Sequence, residues 1–292
     1  MNNNSNNIID LDLKESNQYL KDLIKSDKPF IISRLGSEII PSINFLYKNH
    51  FSVPEYIVNN AGIYSKSGNK IEDYLTYYKA YYNSVDKSDA IASFKILSHI
   101  AKCEEFFIKN RKKPSVSYKV LEPFYSIIEN DIPWTHSLKD KKVLVISPFV
   151  VSFIKQLNNK FKMFKHQDIF LPEQQFVFYK SFNTSSHNYL HNSWIETFNI
   201  MCSEIQKLDF DIALISCGGY GMLLCNFIKY KLNKSAIYIG GGLQLLFGVI
   251  GRRWDNRDNI KKIIKENNCT FIRPSEDEII NNSSNVEGGC YW

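Results

Sequence analysis

Apolar residues fall into two periods along this chain. From Lys142 onward, short continuous apolar runs alternate with stretches in which apolar residues recur every three or four positions, as buried strands and amphipathic helices require. The predicted order is strand 143–147, helix 150–164, strand 176–182, helix 194–208, strand 211–216, helix 222–232, strand 236–239 and helix 243–249. Strands that stay apolar without in–out alternation have both faces covered, which implies a parallel sheet. The expected fold is therefore α/β: a Rossmann-like, doubly wound, mainly parallel sheet with helices on both faces.

The first half is patterned less regularly. A polar, Asn-rich start gives way to helical spacing over 14–25, a short apolar strand over 29–33 and a helical stretch over 39–47. After a turn-rich segment, Tyr74, Tyr77, Tyr78, Tyr81 and Tyr82 mark one face of a helix over 71–85, where core packing is the expected role of the rings. A strand over 89–94 and a helix over 96–109 precede a basic break, Arg111-Lys112-Lys113-Pro114.

Composition narrows the function classes. The chain has 292 residues, 44% of them hydrophobic and 23% charged, which suits a globular protein with a sizeable core. The charge balance, 36 Lys+Arg against 30 Asp+Glu, gives a formal +6. That excess is spread over several clusters, so nucleic acid is not an expected partner. No apolar run approaches the ~20 residues of a membrane span, and the N-terminus lacks a signal-peptide pattern, so a cytoplasmic location is expected. Six cysteines without a CxxC pair read as free thiols.

In a parallel sheet, ligands bind beyond the carboxyl ends of the strands. Chemistry is thus sought after Ser147, Phe182, Ser216 and Ile239. Two of these positions open glycine turns, Gly218-Gly219-Tyr220-Gly221 and Gly240-Gly241-Gly242 with Gln244 following; such turns let backbone N–H groups approach a phosphate. The alternative is that the glycines only make tight turns. Neither matches a dinucleotide or triphosphate signature. Arg252-Arg253-Trp254 offers guanidinium forks for phosphate and a ring for stacking, or else a packed tryptophan at a helix end. In Arg34-Leu35-Gly36-Ser37-Glu38, directly after the first strand, Glu38 is a candidate general base or metal ligand, the bland reading being a helix cap by Ser37. His136 is a second candidate base. His187 and His191, four residues apart, read as a surface pair, since a zinc site would need more ligands.

Arg34 to Glu38, Asn60-Ala61-Gly62-Ile63, the two glycine turns, Phe247-Gly248, Gly251-Arg252-Arg253-Trp254 and the closing Glu287-Gly288-Gly289-Cys290-Tyr291-Trp292 together resemble the GT-D class of glycosyltransferases, more narrowly a bacterial and viral branch of it. The resemblance spans about 30–292. It implies a Rossmann-like catalytic domain over 29–292, with a candidate sub-division near 114–141, behind a polar tail and first helix over 1–28. It also implies a nucleoside-diphosphate sugar donor, such as a UDP-sugar, and a glycan or glycoconjugate acceptor. Arg34, Gly36, Ser37, Asn60, Ser147, Gly218 to Gly221, Gly240 to Gly242, Gln244 and Arg252 to Trp254 are the substrate-binding candidates. Better-known members carry a D-x-E motif after Arg-x-Gly. Here Glu38 is the single carboxylate in that place, so Mn²⁺ or Mg²⁺ is expected only if another acid joins it. A non-catalytic nucleotide- or sugar-binding protein of the same fold is the rival expectation.

Overall fold

The computed structural model describes residues 9–66, 70–95 and 99–292. Seven strands form one sheet in the order β3-β2-β1-β7-β6-β4-β5: β1 Ile31–Ser33, β2 Ala90–Ser93, β3 Ser115–Ser117, β4 Lys142–Ser147, β5 Gln175–Lys180, β6 Ile212–Ile215 and β7 Ser235–Tyr238. Every pairing is parallel, as the apolar strands predict.

Side-chain alternation splits each strand between two cores. Ile32, Val143, Val145, Leu214 and Ile237 face the cluster beneath helices Leu13–Lys25, Val150–Asn158 and Asp258–Asn267. Ile31, Leu144, Ile146, Ala213, Ile215 and Ala236 face the cluster under Lys70–Asp86, Trp194–Ile205 and Gly221–Leu232. Because both faces are dry, period-two positions are all apolar. Tyr77, Tyr78 and Tyr81 are buried in the second cluster, in the packing role that their helical spacing implies.

Several boundaries move for local reasons. The predicted helix 150–164 stops at Asn158, because Lys160 adopts φ 54° and sends Met163 and Phe164 into the core as loop residues. Helix 243–249 shrinks to Leu243–Leu246; Gly248 lies at φ 72° and Phe247 turns into a ring cluster with Phe153, Phe170 and Phe176. Three of the residues expected to start helix 96–109 lie outside the described residues, and the remainder is helical over His99–Glu105 and then widens to a π-turn, Phe106–Asn110. Strand β3 and helix Asp258–Asn267 are not predicted from the pattern. The N-terminal helix, with an Asp12–Glu15 capping box, is tied to the body by Asn17, whose amide donates to Asp131 and Ile132 and whose oxygen accepts from the Trp134 N–H.

Two features of the topology position a site. Strands β1 and β7, some 200 residues apart in sequence, pair through Ile31 with Ala236 and Ile32 with Ile237, so the residues after them emerge side by side. Adjacent β4 and β6 continue in opposite directions, to β5 and to β7, which opens a crevice at their carboxyl ends. The C-terminal segment returns to roof this end. Glu278 accepts from the Val151 N–H at 2.8 Å and the Ser152 N–H at 3.3 Å at the start of helix Val150–Asn158, where the helix dipole favours an anion. Trp292 Nε1 donates to the Glu278 carbonyl at 2.9 Å.

Glu278→Ala would strand these N–H groups, the one on Ser152 buried, which should cost about 3 kcal/mol and loosen the C-terminal roof. Urea denaturation of the wild type and the variant checks this; a change below ~1 kcal/mol would contradict it.

Candidate functional site

At the carboxyl edge, Arg34 leaves β1 beside Gly240, which leaves β7. Gly240 sits at φ 72°, and a Cβ there would fall closer than 3.0 Å to Arg34 Nη1. The same geometry recurs along the turn. A Cβ on Gly241 would meet Arg253 Nη1 at 2.9 Å, and one on Gly242 would strike the Glu122 carboxylate. The bare backbone of the triple glycine is thus a seat for two guanidinium groups and one carboxylate of the protein itself. Phosphate approach to the glycines, as the sequence suggests, would be through these cations as well as through backbone N–H groups.

Arg34 holds its fork open. Its Nη1 donates to the Ile239 carbonyl at 3.3 Å and its plane lies 5.1 Å from the Phe94 centroid, yet among the described residues it joins no salt bridge. Glu38 and Glu104 are buried and Glu122 half-buried around it, and desolvation pushes all three carboxyls above the usual range, with Arg34 drawing each of them back down. Arg253 is differently placed. It stacks on Tyr291, 4.3 Å from the centroid, and pairs with Glu287.

Glu38 is only 8% exposed, and its carboxylate folds back over Gly36, where a Cβ would collide with it. Its raised pKa comes first from burial; its own backbone N–H and Arg34 oppose this, and Glu287 adds to it. Helix Ile39–Lys48 starts without a side-chain cap, so Ser37 does not cap it. Glu38 instead lines a cleft.

That cleft has two compartments that share Arg34, Asn60, Ala61, Gly218, Tyr238 and Tyr291. The larger, about 360 Å³, holds Gly36, Ser37, Glu38, Phe94 and Glu287. The smaller, about 90 Å³, lies between Phe149, Phe182 to Ser185, Ser216, Gly241 and Trp292. Gly218, at φ 56°, brings its turn against the Ala61 carbonyl, and Tyr220, buried, bonds Thr184 at 3.1 Å.

The fold thus gathers Arg34, Gly36, Ser37, Glu38, Asn60, Gly218, Tyr220, Gly240 and Gly241 around one cleft, with Arg253 behind Tyr291. Other expected site residues lie elsewhere. His136 sits in the turn Trp134–Leu138, just before the amino end of β4, with Nε2 2.7 Å from the Asp168 carbonyl, because the strand direction sends residues that precede β4 to the opposite edge. Trp254 is 8% exposed and packs in the core, and Arg252 is exposed while its N–H donates to the Trp292 carbonyl. Ser147 is buried and accepts from the Phe149 N–H. Gly219 and Gly221 are spacers, one against Tyr77 and Ile63, the other against the Tyr238 ring. Gln244 is fully buried and donates to the Tyr291 carbonyl at 3.0 Å, and Gly242 faces Glu122. His187 and His191 bond Tyr189 and Thr197 separately.

Sequence reasoning missed Glu122, Phe94, Asn183 to Ser185 and the individual roles of Glu287, Tyr291 and Trp292. Only the 183–185 loop had a usable signal, its place after a parallel strand. Among the described residues no group of three or more His, Cys, Asp or Glu could hold a metal ion. Of the carboxylates lining the cleft, Glu38 and Glu287, the second already pairs with Arg253. Among the described residues no helix is long and apolar enough to cross a membrane.

No protein-family model and no curated protein matches the chain. Two solved structures are similar to it. One is the selenomethionine-substituted domain of unknown function 1792, at TM-score 0.44 and 13% identity over 81% of this chain and 79% of that one. The other is the domain of unknown function 1792 described as having a distinct glycosyltransferase fold, at TM-score 0.43 and 14% identity over 80% of this chain and 79% of that one.

Two expectations follow from the geometry. Gly240→Ala, strained at φ 72° and aimed at Arg34, should displace the guanidinium and weaken pyrophosphate binding by roughly tenfold, the loss of a charge-assisted contact; isothermal titration checks it. For Glu38, a folded pKa above the unfolded value means that the native state binds the extra proton, so stability falls as pH rises through the ordinary carboxyl range toward the folded pKa. Glu38→Gln removes that decline. The variant should be the more stable protein at neutral pH, with the gap closing toward acid pH, as melting curves across pH would show.

Proposed function

We propose that this protein is a glycosyltransferase that moves a sugar from a nucleoside-diphosphate donor to a glycan or glycoconjugate acceptor. The observation that carries the reading is the unpaired guanidinium of Arg34, seated on Gly240 at the midpoint of the cleft, with the buried carboxyl of Glu38 to one side. Departure of a diphosphate develops negative charge, and donors fixed in advance stabilise it without reorganisation. Arg34 supplies such a fork, Arg253 packs against Gly241, the next residue of the same turn, and Asn60 borders both compartments. The start of helix Gly221–Leu232, behind the Gly218 turn, adds a favourable dipole.

Acceptor activation falls to Glu38. A carboxylate whose pKa is raised by burial is a stronger base than an exposed one, and Arg34 opposes that rise. The acceptor hydroxyl gives its proton to Glu38 while the sugar–phosphate bond breaks toward Arg34. Mn²⁺ enters as an arm of the test.

The test is a thermal-shift and hydrolysis series with UDP, GDP, dTDP and their sugars, with and without Mn²⁺. One of these nucleotides should raise the melting temperature by mass action, and Glu38→Gln should lower turnover by roughly 10²–10⁴ while donor affinity changes little. No stabilisation by any nucleotide at millimolar concentration would overturn the reading. Binding without donor turnover would instead identify a non-catalytic nucleotide-sugar binder.

A further inference from the structure

From the division of the cleft we infer that its smaller compartment, built by Phe149, Phe182, Asn183, Ser216 and Trp292, is the nucleoside subsite, and that the larger one takes the transferred sugar and acceptor. This rests on the proposed function and adds a direction to it. In a nucleoside-diphosphate sugar the order nucleoside, diphosphate, sugar is fixed by covalent bonds. Arg34 belongs to both compartments, so it lies at the junction where the diphosphate must sit. Glu38 lines only the larger compartment. A base has to reach the acceptor beside the anomeric carbon, so the sugar lies on that side and the nucleoside on the other.

The lining of the smaller compartment agrees. Ser216 is only 8% exposed, faces the cavity, and its hydroxyl has no hydrogen-bond partner among the described residues. Asn183 accepts the Ser185 N–H through Oδ1 at 3.3 Å, and among the described residues its amide N–H₂, on the same wall, has no protein acceptor. A cavity-lining hydroxyl and a free amide next to aromatic rings are what a flat, carbonyl-bearing base requires: stacking surface with a few placed polar atoms. Neighbouring Thr184 is fully used, donating to the Gly62 carbonyl and bonding Tyr220. Its part is to fix the loop and leave Asn183 and Ser216 to meet the ligand. Trp292 closes the far side, edge-on to Phe149 with centroids 6.0 Å apart.

The experiment titrates UDP, GDP and dTDP, with pyrophosphate as the probe of the junction, into the full-length wild type and into Asn183→Ala, Ser216→Ala and Ile100→Trp. Ile100 lines the larger compartment alone, so its replacement fills the sugar side. Asn183→Ala and Ser216→Ala should each weaken the nucleoside diphosphate that binds by roughly three- to tenfold, one hydrogen bond's worth, and leave pyrophosphate affinity unchanged. Ile100→Trp should leave that nucleotide's affinity unchanged and abolish the added affinity or turnover of its sugar. Ser216→Ala removes a single oxygen and keeps the test valid if Asn183→Ala fails to fold. The reverse pattern, with the nucleotide blocked by Ile100→Trp and indifferent to the other two, overturns the direction while the function stands. If pyrophosphate binds and no nucleoside diphosphate binds better, the function falls, and the subsite with it.

Discussion

Arg34 sits where a Gly240 Cβ would otherwise be, and the site depends on that exclusion. A guanidinium brought against bare backbone at the end of β7 is held by one carbonyl bond and one ring face, which leaves most of its donors for an anion. Arginine's planar fork suits this role because it stays charged when half-buried and meets two phosphate oxygens at once. Three carboxyls, two of them buried, surround it beyond ion-pair reach. Each is destabilised by burial and partly relieved by Arg34, so the cation offsets three desolvation costs without being locked to one partner.

The rest of the molecule reads as support for this arrangement. Pairing of β1 with β7 sets Arg34 beside Gly240. Glu278 clamps the start of helix Val150–Asn158 while its own carbonyl holds Trp292, so one residue links the roof to the sheet edge. Gln244 and the backbone of Arg252 and Arg253 hold the last residues in place. Tyr291 is thereby fixed under Arg253 and against both compartments. A buried, oriented carboxyl and an unpaired cation are each unfavourable for folding, and they persist because well-packed sheet and helix layers on both sides determine their positions.

The chain's own residues set what the sequence could reveal. Apolar runs without alternation in β4, β6 and β7 demanded a sheet covered on both sides, and the glycine turns after β6 and β7 marked its carboxyl edge as a place for a ligand. Arg34, Gly36, Glu38, Asn60 and Gly218 could be chosen because they follow a strand directly or stand in a recognisable motif. The same local logic failed where the partner is distant in sequence. Nothing near Glu122 tells that its carboxylate rests on Gly242, and nothing near His136 tells that it precedes its strand at the wrong edge.

Trp254 shows the limit most clearly. Next to two arginines it looks like a stacking platform, but a ring's exposure is decided by which core lies behind it, and here the helix Asp258–Asn267 folds it inward. Period and punctuation are properties of neighbouring residues, so the sequence by itself determined the parallel sheet and the helices that cover both of its faces. Which side chains meet across 80 to 250 residues depends on strand order and on the return of the C-terminus. Only the tertiary structure decided that Arg34 stands open between two compartments, that Glu38 faces one of them, and that Ser216 and Asn183 face the other.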